Sequence, residues 1–254
     1  MTRRRAIVKS EEAAISVVIS LRNTKEYHRE VGRLRDILKS LKAQTVARKI
    51  EVIISDIDSD ASYQKKHKEI CRKFGAKYIY TNTGMSWNIS RARNIGICNA
   101  STEYVLTTDI DCIFAPSFIK VVLEHLMDSP TMVCCRVWEL PEDYTGRLND
   151  FDRMKAVSTL RPTYGYGTCQ AFPKDWAHTV GGFDEEYVMW GAEDKDFYVR
   201  AEQDGLKTDW IENEADYFHQ WHPQENRHED NPQLDMNRLR CRLCLLYTSP
   251  SPRD

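Results

Sequence analysis

The chain has 254 residues, 41% of them hydrophobic and 29% charged, with a formal net charge of −2. That length can bury a full core in one large or two small domains. The near-neutral balance excludes the general attraction that holds basic proteins on nucleic acid or anionic lipid. The longest early apolar run, Ala13 to Leu21, is too short to span a bilayer. Glu11 and Glu12 break up any secretory-type apolar region, so the basic Met1-Thr-Arg-Arg-Arg5 start offers at most a weak peripheral membrane contact. Eight cysteines (71, 98, 112, 134, 135, 169, 241 and 244) form no compact secreted framework. They read as reduced thiols of a cytoplasmic protein, at most one working at the inner face of the membrane. Cys241-x-x-Cys244 has no second pair nearby and reads as chance.

In chain order, Ile15-Ser-Val-Val-Ile-Ser20 is a strand candidate, and Leu21-Arg-Asn23 a loop. From Thr24 to Gln44, Tyr27, Val31, Leu34, Ile37, Leu38 and Leu41 recur at helical spacing. Ile50 to Ser55 forms a second strand ending in Asp56-Ile-Asp58-Ser-Asp60, and a polar helix follows to Phe74, stopped by Gly75. Lys77 to Tyr80 is a third strand and Asn82-Thr-Gly84 a turn. Ile89 to Ala100 is a helix, Tyr104 to Thr108 a fourth strand, Pro116 to Met127 another helix, and Thr131 to Val137 a fifth strand. This alternation predicts an α/β fold, a mostly parallel sheet covered on both faces. After Leu140 the rhythm changes: Pro141 to Asp150 is loop-like, Tyr164 to Phe172 a strand entered through glycines, and Asp194 to Asp204 a helix capped by Gly205. A single domain over residues 1–244 is expected, in two parts, about 14–140 and 141–225. Residues Leu245 to Asp254 are unpatterned, resemble a translated sequencing-adapter scar, and are expected to be a non-native tail.

The chain is organised around Tyr104-Val-Leu-Thr-Thr-Asp109-Ile-Asp111. Alternate side chains of extended backbone lean to one side, so Asp109 and Asp111 can offer oxygens to a hard divalent cation, Mg²⁺ or Mn²⁺. The spacing alone also fits solvated loop carboxylates, since Asp-x-Asp recurs at Asp56/Asp58, Asp58/Asp60, Asp150/Asp152 and Asp194/Asp196. What sets 109/111 apart is the apolar strand before it. In parallel sheets ligands sit at the carboxyl ends of strands, the position that Asp56 and Asp109 share. No glycine-rich loop follows the first strand, which excludes a dinucleotide fingerprint and a P-loop.

Ser16-Val-Val-Ile-Ser20, Ile53-Ile-Ser-Asp56, Ser90-Arg-Ala-Arg-Asn-Ile-Gly96, Thr108-Asp-Ile-Asp111, Gly181-Gly-Phe-Asp-Glu185 and Trp190-Gly-Ala-Glu-Asp194 stand in an order that resembles family 2 glycosyltransferases, which have the GT-A fold. The second half, through Phe218-His-Gln-Trp-His222, looks like the branch that holds bacterial capsule-synthesis transferases, chondroitin polymerase and animal galactosyl- and N-acetylgalactosaminyltransferases. Two departures stand out. The first strand ends in Ser20 where the family has Pro, and Asp56-Ile-Asp-Ser59 replaces Asp-Asp-Gly-Ser.

The resemblance implies an inverting, metal-dependent transfer of a hexosyl or N-acetylhexosaminyl group. The donor would be a nucleotide sugar, a UDP-sugar, and the acceptor a hydroxyl of a growing surface or capsular polysaccharide. Asp56 would bind uracil or ribose, or merely cap a turn. Arg93 would face the nucleotide or diphosphate, or be a helix-surface cation. Asp109 would contact ribose or metal and Asp111 the metal. His219 or His222 would complete the coordination, the other being an aromatic-cluster residue beside Phe218 and Trp221, and a histidine ligand favours Mn²⁺ over Mg²⁺. Asp194 would be the catalytic base and Glu193 would hold sugar hydroxyls, although both can simply favour a helix N-terminus. Trp190 would close over the sugar, Gly191 letting its loop move. The alternative is a transferase-fold binding or scaffold module without turnover. Nothing in the sequence fixes the oligomeric state, the donor sugar or the linkage.

Overall fold

The computed structural model describes residues 14–25, 30–163, 165–189, 191–223 and 232–248. The chain alternates β1 (Ile15–Leu21), α1 (Glu30–Lys42), β2 (Ile50–Ile57), α2 (Ala61–Phe74), β3 (Lys77–Thr81), α3 (Ile89–Cys98), β4 (Tyr104–Thr108), β5 (Cys112–Phe114), α4 (Phe118–Asp128) and β6 (Thr131–Cys135). It continues through β7 (Trp138–Glu139), α5 (Phe151–Val157), β8 (Thr159–Leu160), β9 (Cys169–Pro173), α6 (Lys174–Thr179), α7 (Glu193–Gln203), β10 (Lys207–Ile211), β11 (Tyr217–His219) and α8 (Pro232–Thr248).

Seven strands form one sheet in the order β10-β6-β9-β4-β1-β2-β3. The β4-β1-β2-β3 half is parallel throughout, as is the β6–β10 pair, and β9 runs antiparallel to both β4 and β6. The period of two along β1 decides which layer each residue supports. Ile15, Val17 and Ile19 join Leu34, Ile37 and Leu38 of α1, Ile70 of α2 and Phe118, Ile119 and Val122 of α4. Val18 points the other way, into a cluster with Ile97 of α3, Ala177 of α6 and Phe197 and Ala201 of α7. Gly96 of α3 lies directly over Val18, where a Cβ would overlap the Val18 side chain.

The expected sheet, with helices on both faces, is the one observed; the differences lie at the ends of elements. The first helix starts within the described residues at Glu30, and Thr24 and Lys25 lie ahead of it in irregular backbone. The fifth strand ends at Cys135 rather than Val137. The strand expected from Tyr164 begins at Cys169, where pairing with Thr108 at the end of β4 starts. The last helix runs on to Thr248, past the Leu245 at which irregular chain was expected.

A second, four-stranded sheet, β5-β11-β7-β8, has no counterpart in the sequence reading. Its strands are two or three residues long, too short to carry a period. This small sheet nevertheless fixes the site. No helix among the described residues is long and apolar enough to cross a membrane.

Candidate functional site

The carboxyl ends of β2, β1 and β4 lie side by side. Leu21 at the end of β1 is in register with Asp56, and Thr108 at the end of β4 with Ile19. Asp56 and Asp109 therefore flank the mouth of β1, about two strand spacings apart, near 10 Å.

Asp56 is fully buried. Its Oδ2 accepts a hydrogen bond from Tyr78 Oη at 2.7 Å and lies 2.9 Å from His67 Nδ1. Its Oδ1 has no hydrogen-bond partner among the described residues. The Asp58 that stands in place of the family's glycine has φ 54°, the left-handed conformation for which glycine is otherwise chosen. Asp is among the residues that adopt it most readily, and here its carboxylate also accepts from the distant backbone N–H groups of Thr83 (2.7 Å) and Gly84 (3.2 Å).

The second sheet brings distant residues to Asp111. Antiparallel pairing of β5 with β11 sets His219 opposite Cys112, and Gln220 N–H donates to Asp111 O at 2.9 Å. As a result Asp111, His219 and His222 each point one donor atom into a space where all three atoms lie within 4.8 Å of one another. Each histidine Nε2 is 3.4 Å from an Asp111 oxygen. Both rings are held from behind through Nδ1, His219 by Glu139 Oε2 at 2.8 Å and His222 by Pro223 O at 2.9 Å. A carbonyl can only accept, so His222 carries a proton on Nδ1 and its Nε2 is the atom that faces Asp111. Parallel pairing of β11 with β7 puts Glu139 opposite His219. One carboxylate and two imidazoles, backed by a hydrogen-bonded outer shell, suit a first-row divalent ion better than Mg²⁺.

Charge is balanced within the group by the protein itself. Burial opposes ionisation of Asp111, but His219, Arg33 and His222 hold its carboxyl well below the usual range. Burial also works against a charged His219, and Asp111 and Glu139 overcome it, pushing the imidazole up to about 10. Arg33 of α1 lies 3.4 Å from Asp111 Oδ2 and donates to Trp221 O at 3.3 Å. A cation bound here would replace the proton on His219 and compete with the Arg33 contact.

Asp109 stands outside this group. Its carboxylate, 30% exposed, lies 3.4 Å from Arg93, which is 1% exposed. Burial raises the Asp109 pKa, with Arg93 opposing and Asp111 adding to the rise. Arg93 is not the helix-surface cation that the sequence allowed. Its guanidinium also donates to Glu193 Oε1 (3.1 Å) and Gly167 O (3.0 Å) and lies over the Phe183 ring. Arg93 thus ties the end of β4 to the start of α7.

Glu193 is buried, with Oε2 accepting from Gly191 N–H at 3.1 Å. Burial and the neighbouring Asp194 push its pKa up to about 7, Arg93 opposing. Asp194 is only partly buried; its Oδ1 accepts from Lys195 N–H at 2.8 Å, and a Cβ at Gly167 would lie 2.5 Å from its Oδ2. The turn before α7 is strained, with positive φ at Met189, Gly191 and Ala192. Helix α8 braces it: Leu234 packs on Gly191, and Asn237 Nδ2 donates to Val188 O at 3.0 Å. Trp190 lies outside the described residues.

A family model described as "Glycosyl transferase family 2" matches residues 16–180, well over half the chain. The chain belongs to glycosyl transferase family 2. A model described as "N-terminal domain of galactosyltransferase" matches residues 152–223 of this family 2 chain, the part that carries Glu193, Asp194, His219 and His222. The chain is 24% identical to the chondroitin synthase of Escherichia coli over 71% of its own length, and 24% identical to that of Pasteurella multocida (strain Pm70) over 66%. It spans 32% and 22% of those proteins. Its fold is also that of Staphylococcus aureus TarS 1-349 in complex with UDP-GlcNAc, with a TM-score of 0.67 at 15% identity over 93% of this chain and 68% of that one. This family 2 chain therefore has the expected GT-A fold.

Glu139, Arg33, His67 and Tyr78 were absent from the sequence reading. Of these only His67 left a trace, falling with Ile70, Cys71 and Phe74 on one face of a helix that is otherwise polar.

Proposed function

We propose that this chain is a metal-dependent inverting glycosyltransferase that moves a sugar from UDP to a hydroxyl of a growing surface or capsular polysaccharide, working in the cytoplasm. The observation that carries it is the convergence of Asp111, His219 and His222 beside the strand ends that hold Asp56 and Asp109. The UDP-GlcNAc held by TarS supports the choice of UDP. Mn²⁺ held by Asp111, His219 and His222 would supply positive charge to the departing diphosphate.

The other steps belong to side chains. Asp56 and Asp109 position base and ribose. Glu193, with one oxygen accepting from Arg93 and the other from Gly191 N–H, is held in place to accept from sugar hydroxyls. Asp194 is the open carboxylate of the pair and takes the acceptor hydroxyl's proton. The acceptor oxygen bonds to the anomeric carbon as that carbon's bond to the diphosphate breaks, and the diphosphate leaves with the electron pair. One in-line displacement inverts the centre.

The test is a panel of UDP-sugars, with saccharide acceptors, read by UDP release with and without Mn²⁺. Asp194→Asn should lower turnover roughly 10²–10⁴-fold, leaving UDP affinity within a few-fold. The bond from Lys195 N–H to Asp194 favours a second reading of that residue, a helix-stabilising carboxylate outside the chemistry. That reading predicts a loss of about 1 kcal/mol in stability with activity kept. Turnover above about a tenth of the parent's in Asp194→Asn would remove Asp194 as the base.

A further inference from the structure

Helix α8 lies beyond both stretches that the family models match, 16–180 and 152–223. Its inner face buries Leu234, Asn237 and Cys241, while Met236, Leu239 and Leu243 stand open on the outer face. From the inner face α8 takes hold of the link from Asp184 to Ala192, which leads into α7. Arg240 Nη2 is 2.8 Å from Asp184 Oδ2, and its guanidinium lies 5.7 Å from the Tyr187 ring centroid. Asn237, 2% exposed, donates through Nδ2 to Val188 O at 3.0 Å. Gln233 Nε2 donates to Asn237 Oδ1 at 3.0 Å, which fixes the amide with its NH₂ toward the link. Leu234 packs so closely on Gly191 that a Cβ there would lie 2.6 Å from Leu234 Cδ1.

The link needs holding. Met189, Gly191 and Ala192 have φ of 67°, 105° and 74°, and two of the three are not glycine. Backbone of this kind persists only where its surroundings over-determine it. One side is fixed by Met189 N–H donating to Trp87 O at 2.9 Å, and α8 supplies the other. The turn ends by aiming Gly191 N–H at Glu193 Oε2, 3.1 Å away, while Arg93 holds Oε1. We infer that Asn237 is a positioning residue for the transfer step: from α8 it keeps the link in its left-handed turn, so that Glu193 and Asp194 are delivered in place at the start of α7. The inference rests on the reading of this site as a glycosyltransferase's. Asn237 touches neither nucleotide nor sugar. Asp56, Asp111, His219 and His222 are carried by other elements, so loss of Asn237 separates turnover from nucleotide binding.

Asn237→Leu keeps the size of the side chain and removes the donor. In the full chain with Mn²⁺, its affinity for UDP by calorimetry should stay within a few-fold of the parent's. Turnover, read as UDP release on the best donor of a UDP-sugar panel, should fall about 10–100-fold, the scale of a small misplacement of reacting groups. Amide hydrogen exchange, read by mass spectrometry, should speed up in peptides covering residues 186–194 and stay unchanged in β1, β2 and β4. Leu234→Ala withdraws the second contact and should shift both readings the same way by less. Met236→Ser, on the outer face, should move neither. A merely structural Asn237 predicts a lower melting temperature and faster exchange in α8, with turnover at the parent's value, and that result would overturn the inference. So would turnover lost without faster exchange at 186–194, or UDP affinity lost in step with turnover. Should Asn237→Leu fail to fold, Leu234→Ala decides by the same signs. A parent that releases no UDP from any donor would defeat the transferase reading and this inference with it, whereas an active parent matched by equally active variants would defeat this inference alone.

Discussion

Glu139 touches no proposed ligand, yet it decides which nitrogen of His219 faces Asp111. Metal-bound histidines depend on such partners, whose loss typically costs 10–100-fold in metal affinity. Glu139→Gln should therefore weaken Mn²⁺ binding by about 10-fold or more, read by titration of the ion alone; an unchanged isotherm would leave Glu139 as a partner of Arg161 only. A second histidine sits far from this chemistry. His125 of α4 bridges Asp209 of β10 at 2.7 Å and Glu214 at 3.1 Å. Burial of the ring opposes its charged form, but the two carboxylates outweigh it and raise its pKa. Burial opposes charge on Asp209 too, and His125 lowers that pKa nonetheless. A raised histidine stabilises the fold fully below the unfolded value, about 6.5, and loses the contribution as pH rises through the folded value. The gap in melting temperature between the parent and His125→Gln should accordingly be larger at pH 6 than at pH 9. A gap that grows toward pH 9 would contradict the assignment.

At the scale of elements, α3 lies close on β1 because Gly96 has no side chain to hold them apart. Gly96→Ala forces the helix outward or Val18 off its rotamer, an overpacking cost of roughly 1–3 kcal/mol. A chain of this size then melts several degrees lower, measurable by calorimetry; an unchanged melting temperature would mean that α3 shifts freely on the sheet. Contacts of this kind follow elements that the sequence shows clearly. β1, β2, β4 and β6 are apolar, β-branched runs, and α1 and α4 carry a 3.6 period strong enough to place them before any coordinates. Asp56 and Asp109 were legible for the same reason, as residues at the ends of such strands. The partnership of Asp111 with a histidine, His219 or His222, came from the family resemblance alone; local pattern could not show it, because it is made by β5, β7 and β11, segments of two or three residues. Their pairing is set by the folded chain around them, not by local pattern. Arg93 is ambiguous in another way. Its position on a helix allowed either a ligand-facing or a surface cation, and Asp109 after β4 and Glu193 of α7 draw it inward.

Across the whole molecule the first and second halves of the chain are interleaved. β9 occupies the place between β4 and β6, and β10 the edge beyond β6. A chain stopped after Thr168 keeps every strand up to β8 but leaves β4 open along one edge and β6 along both, since β10 is lost with β9. Open edges recruit strands from other molecules, so this truncation should be recovered as aggregate; a soluble monomer with a cooperative melt would show that the first half stands alone. Synthesis meets the same difficulty on every copy. The ribosome delivers β4 well before β9, and roughly 60 residues separate them. At 5–20 residues per second, the open side of β4 waits about 3–12 s for its partner. Over that interval the nascent chain depends on chaperones, or on slow encounters between neighbouring ribosomes, to stay out of trouble. Expression yield should then respond to translation rate across codons 109–168 more than to rate elsewhere.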